Sequence, residues 1–129
     1  MPHKSNGEFI DVEEVTLAAS AARTESGSGS AIDLGDRNTL RLSLAITARS
    51  GTKPSLHALV ETSADSSTWR QLGSFTAVND ATGTERQSFP GADRYVRLRW
   101  VISGATPSFT FSVSGDAALT PHHDKDFST

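Results

Sequence analysis

The longest regular alternation of apolar and polar positions lies in residues 94–115. Successive side chains of a β-strand point to opposite faces, and residues 96–102 and 109–113 both follow this two-residue period. A helix would space its apolar residues three and four positions apart, so strands are predicted here. The Ser-Gly-Ala-Thr-Pro segment between the two runs is typical of a turn, and together they predict a β-hairpin.

The same period recurs elsewhere in the chain. It is clearest in residues 40–47 and weaker in residues 56–62 and 69–78. Segments rich in Gly, Pro, Ser and Asp separate these runs, which predicts a turn at 50–55 and a mobile loop at 20–30. Because a lone hairpin cannot bury its apolar row, a second layer must cover it. We therefore predict an all-β fold, a single antiparallel β-sandwich that is jelly-roll-like with about eight strands.

The pattern also predicts the organisation of the chain. Residues 1–12 are expected to form a flexible N-terminal arm, residues 13–119 the β-sandwich domain, and residues 120–129 a polar C-terminal tail. The large apolar side chains of the strands are expected to form the scaffold of the sandwich, namely Trp69, Leu72, Phe75, Val96, Leu98, Trp100, Phe109, Phe111 and Val113.

Composition narrows the possible functions. The 129 residues carry 12 basic and 15 acidic side chains, a net charge of −3, and both signs are spread evenly. This distribution argues against a dedicated nucleic-acid binder. Cysteine is absent, so stability must come from packing rather than from disulfides. No stretch reaches transmembrane length and the N-terminus lacks an apolar signal core, so we expect no signal peptide and no membrane partner.

Two groups of polar residues were considered for chemistry. One group is of the types that bind divalent metals, namely His122, His123, Asp124 and Asp126, but adjacent residues in a polar tail rarely close a site. Serine is common, yet no Gly-x-Ser-x-Gly motif lies between a strand and a helix. We therefore predict no catalytic residues, no metal, no cofactor and no enzymatic activity.

Two other sets of residues leave alternatives open. Loop oxygens could bind calcium, although turn formation explains each of them equally, and they belong to Asp33, Asp36, Asn38, Asp65, Asn79 and Asp80. Arginine and aromatic residues of one strand could form a cationic face for a sugar or an anionic partner. Alternatively, the arginines cover the outer sheet face with their stems; the residues are Arg94, Arg97, Arg99, Tyr95, Trp69 and Trp100.

One part of the chain resembles a known class of protein. Residues 60–75 carry a Ser-Ala-Asp-Ser-Ser turn followed by Thr-Trp, and residues 94–100 read Arg-Tyr-Val-Arg-Leu-Arg-Trp. This combination is similar to small β-sandwich virion structural proteins of tailed bacteriophages, of the capsid decoration or accessory head type. It also resembles discoidin-like and carbohydrate-binding jelly rolls. The resemblance implies that the Trp of the turn anchors the core.

The resemblance implies a non-enzymatic virion protein, made in the host cytoplasm, that binds across neighbouring capsid subunits. Its partners would be the major capsid protein or other virion proteins, and a homo-oligomer, as a trimer, is expected from the same class. The residues expected to contact partners are Phe9, Ile10, Arg97, Arg99 and Tyr95. The alternatives are a carbohydrate-binding or adhesin-like module and a tail or head–tail joining protein.

Overall fold

The computed structural model describes residues 10–120, and every regular element among them is a β-strand. All pairings between these strands are antiparallel, which confirms the predicted all-β fold of about eight strands. No helix capable of spanning a bilayer occurs within the described residues. The strands are β1 (Ile10–Arg23), β2 (Gly27–Ser28), β3 (Ile32–Asp33), β4 (Thr39–Ser63), β5 (Arg70–Ser74), β6 (Val78–Asn79), β7 (Gly83–Pro90) and β8 (Tyr95–Leu119).

Two strands of 25 residues each, β4 and β8, form the centre of the fold. They pair with each other over their whole length, from Thr39 opposite Ala118 to Ser63 opposite Tyr95. The predicted hairpin within residues 94–115 is therefore wrong, as is the predicted turn at 50–55. Both segments bend the strands without reversing them.

The bend occurs at the same sequence pattern, Ser-Gly-x-x-Pro-Ser, in both strands. Residues 50–55 read Ser-Gly-Thr-Lys-Pro-Ser, residues 103–108 read Ser-Gly-Ala-Thr-Pro-Ser, and the register between β4 and β8 is irregular where they meet. Gly51 and Gly104 have φ angles of 109° and 122°, values that residues with a Cβ rarely adopt. The two strands consequently turn together, as one ribbon.

The two bends are also alike beyond their glycines. Lys53 and Thr106, each two residues after its glycine, both have positive φ angles, of 51° and 46°. The hydroxyl groups of Ser55 and Ser103 share a hydrogen bond of 2.7 Å across the bend. The ribbon therefore folds about a local pseudo-twofold axis.

Folding of the ribbon creates two layers. In the first layer, β1 pairs with residues 109–119 of β8 and β7 pairs with residues 39–46 of β4. In the second layer, β2 and β3 pair with the start of β8, and β5 and β6 pair with the end of β4. Aromatic rings join the layers in two places, with centroid distances of 5.4 Å and 5.8 Å; the pairs are Phe75–Phe89 and Trp100–Phe111.

The core lies between the two layers. Alternate residues of β4 and β8 point into it from both sides of the bend, as the two-residue period predicted, and they form one buried cluster. Complete burial of an aliphatic or aromatic side chain is worth about 1.5–3 kcal/mol, so these rows supply the main stabilisation of a domain without disulfides. Leu34 and Phe75, which follow β3 and β5, join the same core. Its largest fully buried side chains are Phe75, Phe109, Phe111, Leu34, Leu40, Leu42, Leu44, Leu56, Leu98, Val60, Val96 and Val113.

The Ser/Gly-rich segment predicted as a mobile loop is ordered by backbone pairing. Strand β1 continues to Arg23, and β2 follows within the segment. The amide of Gly29 donates to the carbonyl of Leu98 at 2.8 Å, and the Ser26 hydroxyl accepts from the amide of Ile102 at 2.9 Å. Small side chains here let the backbone pack against the sheet, because a Cβ on Gly29 would approach the Leu17 carbonyl to 2.8 Å.

Candidate partner-binding face

The outer face of the second layer carries three of the residues predicted to contact partners. Tyr95, Arg97 and Arg99 alternate with buried residues of β8, so all three point away from the core. Val101 continues the row and is 39% exposed, one of two large apolar side chains exposed among the described residues. We call the surface formed by Trp69, Tyr95, Arg97, Arg99 and Val101 the arginine face.

A single carboxylate organises the centre of this face. Glu61 lies opposite Arg97 in the register between β4 and β8, and its side chain is only 14% exposed. Its Oε1 accepts from Nε of Arg97 at 2.8 Å, and its Oε2 lies 3.2 Å from Nε of Arg99. One acidic side chain thus holds two arginines in fixed positions.

Trp69 packs against the same arginine, Arg97. The guanidinium carbon of Arg97 lies 4.3 Å from the centroid of the Trp69 ring, which is within the range of a cation–π interaction. The expectation that Trp69 anchors the core is therefore wrong. Trp69 is half-buried and stands just before β5, where the chain reaches the outer face rather than the space between the layers. Trp100, the other tryptophan, does pack against the core.

An ion pair supports the end of the face next to Tyr95. Arg94 donates from Nε and Nη2 to the two oxygens of Asp33 at 3.0 and 2.9 Å, and its guanidinium lies 5.3 Å from the Tyr95 ring centroid. The hydrogen bonds from Arg94 and from the amide of Gly35 lower the pKa of Asp33. Asp33, one of the possible calcium ligands, is thus paired with a cation, the guanidinium of Arg94.

The other residues predicted to contact partners lie elsewhere. Phe9 falls outside the described residues. Ile10 is the first residue of β1, where its backbone pairs opposite Leu119 in the first layer. The structure therefore brings Tyr95, Arg97 and Arg99 together and leaves Ile10 on a strand of the other layer.

Two of the other possible calcium ligands, Asp65 and Asp80, also have partners within the protein, and Asp80 Oδ1 lies 3.0 Å from Nε of Arg49. Asp65 Oδ1 accepts from the amides of Ser67 and Thr68, both at 2.9 Å, and from the Ser63 hydroxyl at 2.9 Å. These hydrogen bonds, the one from Thr68 foremost, lower the pKa of Asp65. Across residues 10–120, no three His, Cys, Asp or Glu side chains form a group that could hold a metal ion. His122, His123, Asp124 and Asp126 lie outside the described range.

The outer face of the first layer differs in chemistry from the arginine face. A shallow groove of about 390 Å³ crosses β7, β4 and β8 there, lined by arginine, serine and aspartate side chains without an aromatic residue. Arg86 lies in it and donates from Nε to the Ser43 hydroxyl at 3.3 Å. Arg86 is exposed and belongs to a regular strand, which makes it a matched control for the arginines of the second layer.

Glu61 is the functional residue that sequence reasoning missed. Its position in the alternating run of residues 56–62 points it outward, which was visible in the sequence. Its role depends on the pairing of this run with residues 96–102, whereas the predicted turn at 50–55 paired it with residues 40–47. The sequence therefore indicated that Glu61 points outward. It did not indicate which strand lies next to residues 56–62.

Comparison with known proteins identifies a similar fold but no family. No family model matches the chain, and no curated protein sequence matches it. A solved structure, described as the PBSX exported protein XepA, matches with a TM-score of 0.54 at 20% sequence identity. The match covers all of this chain and 43% of that one, so the chain spans less than half the length of XepA. At this identity the similarity concerns the fold.

Proposed function

We propose that this protein is a phage-associated, non-enzymatic structural protein that binds other virion proteins through the arginine face, and that its partner is the capsid surface. XepA, the structural neighbour, belongs to the phage PBSX, which supports the association with phage. In this role the domain spans neighbouring capsid subunits and holds them together against internal pressure. Self-association, as a trimer, is part of the proposal.

The observation that carries the proposal is the composition and rigidity of the arginine face. Protein interfaces are enriched in Arg, Tyr and Trp, and their strongest contacts come from such residues held in place by their neighbours. Here Arg97 is fixed between Glu61 and Trp69, and the face stands on long paired strands rather than on loops. Preorganised side chains lose less conformational entropy on binding.

Co-sedimentation with capsid shells tests the proposal. Purified protein is mixed with shells that lack it, and the bound fraction is measured against protein concentration. We expect saturable binding that Arg99→Ala weakens at least about fivefold, since Arg99 is exposed and lies at the middle of the face. Arg86→Ala, the matched change on the other layer, should bind like the unchanged chain.

The outcomes separate the possible roles. If the protein does not sediment with shells, the capsid assignment is wrong. Binding to purified tails would then indicate a tail role, and binding to a glycan array would indicate a carbohydrate-binding role. If Arg99→Ala and Arg86→Ala weaken binding to shells equally, the arginine face is not the surface that binds the capsid. Native mass spectrometry of the free protein checks the trimer, and a purely monomeric species at binding concentrations contradicts it.

The N-terminal arm has a separate role in the proposal. Of the predicted arm, residues 1–12, the last three belong to β1 and residues 1–9 precede it, so deletion of residues 1–9 removes Phe9 and leaves every described strand intact. We expect the shortened chain to unfold at the same denaturant concentration as the full chain and to bind shells more weakly. Undiminished binding would show that the arm makes no contact with the shell.

A further inference from the structure

The two central arginines of the arginine face use only part of their hydrogen-bonding capacity. Both approach Glu61 through Nε, at 2.8 Å from Arg97 and 3.2 Å from Arg99. Within the part of the chain that the structure describes, no hydrogen bond is made by the terminal Nη1 and Nη2 atoms of either side chain. Each arginine therefore retains donors with which to bind another group.

The free donors suit carboxylates. A guanidinium group is planar and binds a carboxylate through two parallel hydrogen bonds, a geometry that lysine does not reproduce. At the centre of the face, two arginines (Arg97 and Arg99) share one carboxylate (Glu61), which leaves one positive charge in excess there. Arg94, at the end of the face, is compensated by Asp33 and Asp36. Charge complementarity therefore favours an acidic partner.

The spacing of the two arginines adds a geometric requirement. Arg97 and Arg99 are alternate residues of one strand, so their Cα atoms are about 7 Å apart on the same face. Carboxylates at alternate positions of another extended segment have the same spacing. Adjacent carboxylates of such a segment point to opposite faces and cannot reach both arginines together.

From these contacts we infer that the arginine face recognises an extended acidic segment of its partner, with Asp or Glu at alternate positions, one carboxylate for each of Arg97 and Arg99. This inference rests on the proposed function, for which it supplies the chemistry of the partner. Glu61 acts as a positioning residue, because it fixes both guanidinium groups without occupying their outer donors. Trp69 also restricts Arg97, because its ring lies 4.3 Å from the guanidinium carbon.

Binding of labelled peptides by fluorescence anisotropy tests the inference with the full chain. The probe is a seven-residue peptide with two glutamates at alternate positions, one for each of Arg97 and Arg99, and otherwise serine. One control has the same composition with the glutamates consecutive, and another has glutamine in their place. We expect the alternating peptide to bind at least about fivefold more tightly than the consecutive one, with an affinity that falls as salt is raised.

Variants of the chain identify the side chains responsible. Arg99→Lys keeps the charge but loses the planar guanidinium group with its paired donors. We therefore expect it to lower the affinity for the alternating peptide severalfold and to reduce the difference in affinity between the alternating and consecutive peptides. Arg97→Gln combined with Arg99→Gln should remove binding. Arg86→Gln should leave binding unchanged, and circular dichroism of each variant verifies that the fold is retained.

Competition with capsid shells distinguishes this inference from the proposed function. If the alternating peptide displaces the chain from shells, both are supported. If shells bind but no peptide competes, or if both acidic peptides bind equally, the inferred partner chemistry is wrong while the capsid assignment stands. If the alternating peptide binds selectively and shells do not, the acidic preference stands and the capsid assignment is wrong.

Discussion

The shared bend of β4 and β8 makes a quantitative prediction for Gly104→Ala. A Cβ at this position would lie 2.8 Å from the Lys53 carbonyl oxygen and 3.0 Å from Cα of Pro54, both backbone atoms of the partner strand. The φ angle of 122° adds conformational strain of about 1–3 kcal/mol for a residue other than glycine. Displacing the partner backbone adds about 1–3 kcal/mol more.

A second glycine separates these two contributions. Gly91 also has a positive φ angle, 82°, but a Cβ there would meet no atom within 4 Å. Gly91→Ala should therefore lower the free energy of unfolding by the conformational strain alone, about 1–3 kcal/mol. We expect Gly104→Ala to lower the free energy of unfolding by about 2–6 kcal/mol in total, and by about 1–3 kcal/mol more than Gly91→Ala does.

Urea unfolding followed by tryptophan fluorescence measures both variants. The slope of unfolding free energy against denaturant should stay constant, so that the change in midpoint reports stability alone. Gly51→Ala should be as destabilising as Gly104→Ala, because its Cβ would lie 2.6 Å from the Thr106 carbonyl oxygen and 2.9 Å from Cα of Pro107. If Gly104→Ala costs no more than Gly91→Ala, the close approach of the two strands at the bend is refuted.

Three further predictions concern the core, a carboxylate and the end of β8. Phe75→Ala, which removes a buried ring packed edge-on against Phe89, should lower the unfolding free energy by about 3–5 kcal/mol in urea titration. The pKa of Asp65 is below its ordinary value in the folded protein, so its stabilising contribution is complete above the unfolded-state pKa and is lost as pH falls through the folded one. Carboxyl NMR should show that low titration midpoint, and Asp65→Asn should reduce the loss of stability below about pH 4. Asn38→Ala should speed amide exchange at Thr120 in hydrogen-exchange NMR, because the Asn38 side chain accepts from both the amide and the hydroxyl of Thr120.

The candidate site was only partly accessible to prediction. Alternation in residues 94–102 correctly directed Tyr95, Arg97 and Arg99 to one outer face, because that depends only on the local geometry of a strand. The environment of Arg97 could not be predicted in the same way. Glu61 precedes it by 36 residues and Trp69 by 28, and both reach it only through the pairing and bending of separate strands.

The sequence by itself determined that the protein is built of strands and which side chains of the two central strands turn inward, because a two-residue period of apolar positions places them on one face of a strand. Only the tertiary structure decided whether Ser-Gly-x-x-Pro-Ser ends a strand or bends it. A Gly/Pro segment permits both, and the choice depends on the partner strand that carries the same segment at the same level. Because two such segments meet, 50–55 and 103–108, one long ribbon folds into two layers and places the arginine face on the outside.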